Sequence, residues 1–333
     1  MRNVKLVSLW QQAAQRQVRS VARAGQRLTQ DMVKAVAAAH APPPGPGDWL
    51  SGTVLGPAGA RRWRLYRPEG AGRSTPLPLL VMLHGCSQDA HGFAISTGMN
   101  RLAAREGFFV LYPEQDRRAN PQGCWNWYDT RSGQALAEAA TLVAAVEQVA
   151  LAQAVDRNRI AVAGLSAGAS MAALLAVRRP QLFKAVAMHS GVPPGVARSS
   201  ATALRAMLGH GAQGVVPVGP ALLAGASLPP LLVLHGSADA VVSSRNAAAA
   251  AELWAEAVGA RGGAARVVQR GQRHAMHVTD YKAGRRTVAT LCEIQGLGHA
   301  WSGGAARERF SDPAGPCASR LVWRFARNCF DKG

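Results

Sequence analysis

Apolar positions along the chain follow two rhythms. Leu79–Leu83 and Phe108–Tyr112 are short, nearly unbroken apolar runs, as expected of strands buried on both faces. Arg62–Arg67 alternates in character and reads as an earlier, half-exposed strand. Arg159–Ala163, Lys184–His189, Leu231–His235, Val267–Arg270 and Thr287–Ile294 read as further strands. Longer segments fall between them. Gln134–Ala154 is an Ala-rich helix, Ala167–Arg179 a helix stopped by Pro180, Asn246–Val258 another, and Ser319–Arg327 a closing one. Strands alternating with helices predict an α/β fold with a mostly parallel central sheet flanked by helices. In such sheets the functional site lies beyond the carboxyl ends of the strands.

The first 47 residues keep a different rhythm. Val18, Val21, Leu28, Met32 and Val36 fall near helical spacing, while Arg19, Arg23 and Arg27 line another face. This predicts an N-terminal amphipathic helix, suited to packing on its own domain or a partner, or to contact with a membrane or polymer granule. The stretch APPPGPG at 41–47 cannot continue a helix and reads as a linker. The expected organisation is therefore an N-terminal helix and linker over 1–47 and a catalytic domain over 48–333.

Composition narrows the classes. Nearly half of the 333 residues are apolar (48%), enough for a sizeable core, and no apolar run reaches the roughly 18 residues of a membrane span. The formal charge is +19, carried mainly by arginine. The arginines are scattered and no zinc-finger, ribonucleoprotein or homeodomain pattern accompanies them, so a basic solvated surface is expected and no nucleic-acid partner. Cys86, Cys124, Cys292, Cys317 and Cys329 form no CxxC pair, which argues against a zinc site, and their odd number leaves at least one thiol unpaired in an oxidised monomer. No secretory signal pattern opens the chain, which favours the cytoplasm.

The sharpest chemical signal is Gly164-Leu165-Ser166-Ala167-Gly168, a G-x-S-x-G turn between a strand and a helix. Small flanking residues let the turn close, and the serine hydroxyl is then exposed at a helix N-terminus, where the dipole favours negative charge. This is the nucleophile elbow of the α/β-hydrolase fold. A serine hydroxyl needs a base, and the base an orienting acid, in the chain order Ser, Asp, His. Asp239 follows the strand Leu231–His235, and His299 follows the strand ending at Ile294. Asp156 lies at the wrong end of its strand. Asp280, His274 and His277 sit in a polar, hairpin-like stretch, and His210 in a Gly-rich loop. Ser166, Asp239 and His299 are therefore the expected catalytic residues. The backbone N–H groups of Cys86, in the loop after Leu79–Leu83, and of Ala167 are the expected oxyanion donors. His84 is read as a brace for that loop. His189 ends a strand near the site and is read as lining the pocket or packing under it. The chemistry calls for no metal and no organic cofactor.

Six motifs, taken in order, carry a resemblance: HGCSQDAHGFA, TGMNRLAAREGFFVLYPEQ, CWNWYD, GLSAGASM, HGSADAVV and GLGHAWSGG. Together they resemble the polyhydroxybutyrate depolymerase family of esterases, from about Trp63 to the C-terminus. The resemblance implies an α/β-hydrolase fold with a triad at Ser166, Asp239 and His299 and an oxyanion loop at Cys86. It places Trp125 and Trp127 near the site, as walls of a shallow cleft or as ordinary packing. Trp301, beside His299, is a further candidate for the cleft. The family includes depolymerases of short-chain polyhydroxyalkanoates and esterases of feruloyl or acetyl groups on polysaccharides. An extracellular setting is common among them, against the cytoplasmic one, so localisation stays open. A polyester or small ester is thus the expected substrate. The competing reading is a granule- or membrane-binding protein with little catalysis.

Overall fold

The computed structural model describes residues 45–72, 75–210 and 228–331. The expected N-terminal helix lies outside them. Chain order begins with the antiparallel hairpin β1 (Gly47–Gly56) and β2 (Gly59–Pro68), then β3 (Leu77–Leu83), α1 (Ala90–Thr97), α2 (Met99–Glu106) and β4 (Phe109–Pro113). It continues through α3 (Gln134–Ala152), β5 (Val155–Leu165), α4 (Ala167–Arg178), β6 (Ala185–His189), α5 (Ser200–Met207), β7 (Leu231–Gly236) and α6 (Arg245–Glu256). Short strands β8 (Arg261–Gly262) and β9 (Arg266–Val268) precede the hairpin of β10 (Met276–Ala283) and β11 (Arg286–Ile294). The two-residue pair β12 (Trp301–Ser302) and β13 (Ser311–Asp312) and the helix α7 (Ala318–Phe330) complete the described chain.

The sheet runs β1-β2-β4-β3-β5-β6-β7-β11-β10-β8, with β9 also on β10. Its middle, from β4 to β11, is parallel, and antiparallel hairpins close both edges. The parallel strands are buried on both faces because helices cover both. Alternation along β3 shows the division. Leu79, Val81 and Leu83 point into a core shared with α3, α4 and α6. Leu80 and Met82 point into the opposite core, shared with α1, α2 and α7. In that second core Trp323 of α7 stacks on Phe108 with ring centroids 3.6 Å apart.

Helix α4 is buried over Ala167–Val177, and its alanines and Gly168 let it sit close against the sheet. α3 is long and apolar enough to cross a membrane by length and composition. The run-length reading of the sequence had found no such segment. Here α3 covers the sheet with Ala135, Ala139, Leu142, Val146 and Val149. The stretch around Asp280, read from sequence as polar and without a strand, is β10, whose inward Met276 and Val278 alternate with exposed positions.

Candidate active site

Ser166 follows the last residue of β5 and precedes the first of α4, with φ 56° and ψ −122°. A non-glycine residue with positive φ is strained, and such strain is retained where the surroundings over-determine it. The surroundings are glycines. A Cβ on Gly168 would meet the Leu83 carbonyl oxygen at 2.2 Å and that of His84 at 2.5 Å, and one on Gly164 would meet the Gly168 carbonyl at 2.4 Å. The turn therefore closes only with glycine at both places. The Ser166 N–H donates to His189 O at 2.9 Å, which ties the elbow to the end of β6.

Asp239 lies in the loop after β7 and His299 in the loop after β11, adjacent parallel strands. Imidazole Nδ1 of His299 stands 2.8 Å from Asp239 Oδ2. An ionised carboxylate only accepts, so in the neutral imidazole Nδ1 carries the proton and Nε2 keeps its lone pair. The Asp239 side chain is fully buried. Burial alone would raise its pKa. The His299 hydrogen bond and charge, with the Val242 N–H at 2.8 Å, outweigh that and hold it at about 2. A second imidazole, His235, lies 3.5 Å from the same oxygen and donates from Nε2 to Val242 O at 2.8 Å.

The two loops are fastened to each other. Ser237 N–H donates to Ile294 O at 2.9 Å, Ala238 N–H to Leu297 O at 3.0 Å, and Gly296 N–H to Ser237 Oγ at 2.9 Å. A Cβ on Gly236 would sit 2.1 Å from Leu297 O, so this approach also requires glycine.

The loop after β3 passes close to the serine: a Cβ on Gly85 would lie 3.5 Å from Ser166 Cβ. Gly85 N–H is occupied by Gln88 Oε1 at 2.9 Å. The N–H groups of Cys86 and Ala167 donate to no acceptor among the described residues. His84 braces this loop as the sequence suggested. Its Nδ1 donates to Gly85 O at 2.8 Å, and its Nε2 accepts from Gln115 N–H at 3.1 Å. Burial lowers its pKa and keeps the ring neutral. Cys86 is joined to Cys124 by a disulfide, a pairing the sequence left open. Cys292 and Cys317 are free thiols, and burial raises the Cys292 pKa to about 12.

The expected cleft residues lie deeper than a cleft wall. Trp125 is fully buried and donates to His84 O at 3.0 Å. Trp301 is 1% exposed and donates to Ser319 Oγ at 3.1 Å. His189 is 1% exposed, stacks on Trp301, and accepts from Ser302 N–H at 3.2 Å. Burial, then the neighbouring imidazoles, lower its pKa to about 3. Trp127 is buried and meets Tyr128 edge-on at 5.6 Å. These four support the site from beneath, because each ring is already enclosed by packing or by hydrogen bonds. For His189 this is the second of its two expected roles.

Sequence reasoning passed over Glu138, which anchors the segment carrying Gln115 and Asn126. Its carboxylate is buried and accepts from Gln115 Nε2 at 2.8 Å, Asn126 Nδ2 at 2.7 Å and Asn126 N–H at 2.9 Å. Arg61 Nη2 is 3.7 Å away, also buried. The signal was present: Glu138 occupies the core-facing stripe of α3 between Ala135 and Leu142.

The family described as esterase PHB depolymerase matches residues 62–270, more than half of the chain. The poly(3-hydroxyalkanoate) depolymerase C of Paucimonas lemoignei is 30% identical over 55% of this chain and 45% of its own length. A probable acetylxylan esterase A of Aspergillus fumigatus is 26% identical over 59% of this chain and 54% of its own. The chain thus spans about half the length of the curated relatives it matches. Among solved structures, an acetyl xylan esterase from Aspergillus awamori shares the fold with a TM-score of 0.58 at 21% identity, over 75% of this chain and 94% of that one.

Proposed function

Since the chain belongs to the esterase PHB depolymerase family, we propose that it hydrolyses carboxylic esters with Ser166 as nucleophile, His299 as general base and Asp239 as its orienting acid. The observation that carries this reading is the 2.8 Å contact of His299 Nδ1 with a buried, ionised Asp239. It fixes the tautomer that leaves Nε2 free to take a proton. Ser166 Oγ attacks the ester carbonyl as its proton passes to His299. Asp239 stabilises the imidazolium, and the unspent N–H groups of Cys86 and Ala167 receive the oxyanion. The alcohol leaves with the proton from His299, and water, activated by the same imidazole, hydrolyses the acyl-enzyme. No step requires a metal or an organic cofactor.

The favoured substrates are short-chain polyhydroxyalkanoates, their oligomers and related short acyl esters, supported by the depolymerase relative. The second reading is an acetyl or feruloyl esterase of carbohydrate, supported by the acetylxylan esterase relative. The test compares the protein and its Ser166→Ala variant on a p-nitrophenyl acyl series, 3-hydroxybutyrate oligomers and acetylated xylan. A loss of at least ~10⁴-fold in kcat is expected of the variant, with oligomers preferred over xylan. Equal activity of the two proteins removes Ser166 from the mechanism. Inactivity of both on every substrate favours a granule- or membrane-binding protein.

A further inference from the structure

A cleft of about 450 Å³ opens between α2, β9, the start of β10 and α7, and none of Ser166, Asp239 and His299 lines it. Its volume falls in the range of small-molecule sites. Arg105, Arg270, Arg273, Arg320, Arg324 and Arg327 border it, against the single carboxylate of Glu106. Arg327 is paired with Glu106 at 3.2 Å, and Arg273 donates to Gly315 O at 2.5 Å. The guanidinium groups of the other four have no hydrogen bond or ion pair with any described residue. Four unneutralised cations are thus held round one concavity.

Its floor has the opposite character. Leu102, Val268, Met276, Leu321 and Trp323 supply apolar surface. Trp323 is 4% exposed and held by its stack on Phe108, yet its buried indole N–H has no acceptor among the described residues. A buried donor without a partner is costly and rare in folded proteins. The cleft therefore combines two unmet demands: apolar contact and negative charge.

We propose that it binds an anionic amphiphile, an alkyl or acyl chain laid on the apolar floor with a phosphate or carboxylate head among Arg320, Arg324 and their neighbours. A bare anion leaves the floor wet, and a neutral chain leaves the arginines unpaired. A second copy of the chain, at +19, is repelled. Guanidinium groups suit forked pairing with carboxylate or phosphate.

Calorimetric titration of the full chain with octyl phosphate, below its micelle concentration and at low salt, tests this. One equivalent is expected to bind. Octyl glucoside and inorganic phosphate should each bind at least tenfold more weakly. The exposed double variant R320E/R324E should weaken octyl phosphate at least tenfold. It should keep its Tm and its kcat/KM on p-nitrophenyl butyrate, so the outcome is separable from that of the esterase reading. The proposal is overturned if inorganic phosphate or octyl glucoside matches octyl phosphate, or if the double variant binds it unchanged. Binding to anionic vesicles without binding of octyl phosphate also overturns it, in favour of a surface contact.

Discussion

Gly168→Ala isolates what the elbow geometry contributes. The added Cβ would lie 2.2 Å from Leu83 O, 2.6 Å from Leu83 C and 2.5 Å from His84 O. All three are backbone atoms of a central strand and its exit, so no side-chain rotation relieves the clash. Ordinary contact begins near 3.4 Å, and the first turn of α4 must retreat from the β3 loop by about 1 Å. In stability terms the change is modest. Overpacking costs roughly 1–3 kcal/mol, and the better helix propensity of alanine returns up to about 1 kcal/mol. In catalytic terms it is large, because the retreat pulls the Ala167 N–H away from the Cys86 N–H. A misplacement of about 1 Å costs on the order of 10²-fold, and one lost oxyanion donor about 10²–10³-fold. The expected result is a folded protein whose kcat on p-nitrophenyl butyrate falls about 10²–10³-fold with KM little changed. Gly298→Ala is the control: it is next to His299, but its Cβ would meet nothing within 4 Å. If Gly168→Ala folds and keeps kcat within threefold, or if Gly298→Ala loses as much, the close-packed elbow is not what sets the rate.

Asp239→Asn replaces an acceptor-only group by one that can present N–H to the ring, which disfavours the required tautomer; kcat should fall about 10⁴-fold, and retention of more than a tenth of it would contradict the base assignment. His189 has its pKa lowered to about 3, and burial lowers those of His84 and His235 too. Between about pH 6.5 and 3 the unfolded chain binds protons that the folded one excludes. Stability is therefore full above about 6.5 and is lost as pH falls, by roughly 1.4 kcal/mol per pH unit for His189 alone. Urea midpoints should drop from pH 7 to pH 5, and an unchanged midpoint would refute this. Reducing Cys86–Cys124, 38 residues apart in sequence, should cost about 4 kcal/mol by loop entropy, read as a lower Tm in dithiothreitol that a Cys86→Ser variant no longer shows.

What the sequence disclosed was local or tied to strand ends. The turn at Ser166 was legible because its strand, turn and helix are contiguous, and the placing of Asp239 and His299 because each follows an apolar strand. The edges were harder. β1 is Gly-rich and mostly exposed, so its alternation carries little signal. α1 and α2 are short and separated only by Gly98, whose left-handed φ of 59° ends one and begins the other. Pairwise facts between distant segments were not legible at all. The partner of Cys86, the acceptor of Trp125 and the three donors from Gln115 and Asn126 to Glu138 depend on where distant loops meet, which no local pattern encodes. For the same reason no local pattern decides between cleft wall and packing for Trp125 and Trp127. The CWNWYD loop does come close to the site, but its tryptophans face inward, fixed by His84 and the core.

The clasp between the loops after β7 and β11 divides the chain into parts that can vary independently. Asp239 and His299 are 60 residues apart in sequence, yet the bonds from Ser237, Ala238 and Gly296 pin both ends of the excursion that separates them. The intervening segment, through α6 and β8–β10, can lengthen, shorten or exchange surface residues at an entropic cost that grows only logarithmically, without disturbing the Asp239–His299 contact. A lineage carrying this clasp can remodel one flank of the protein, and acquire new ligands or surfaces there, while its chemistry stays in register.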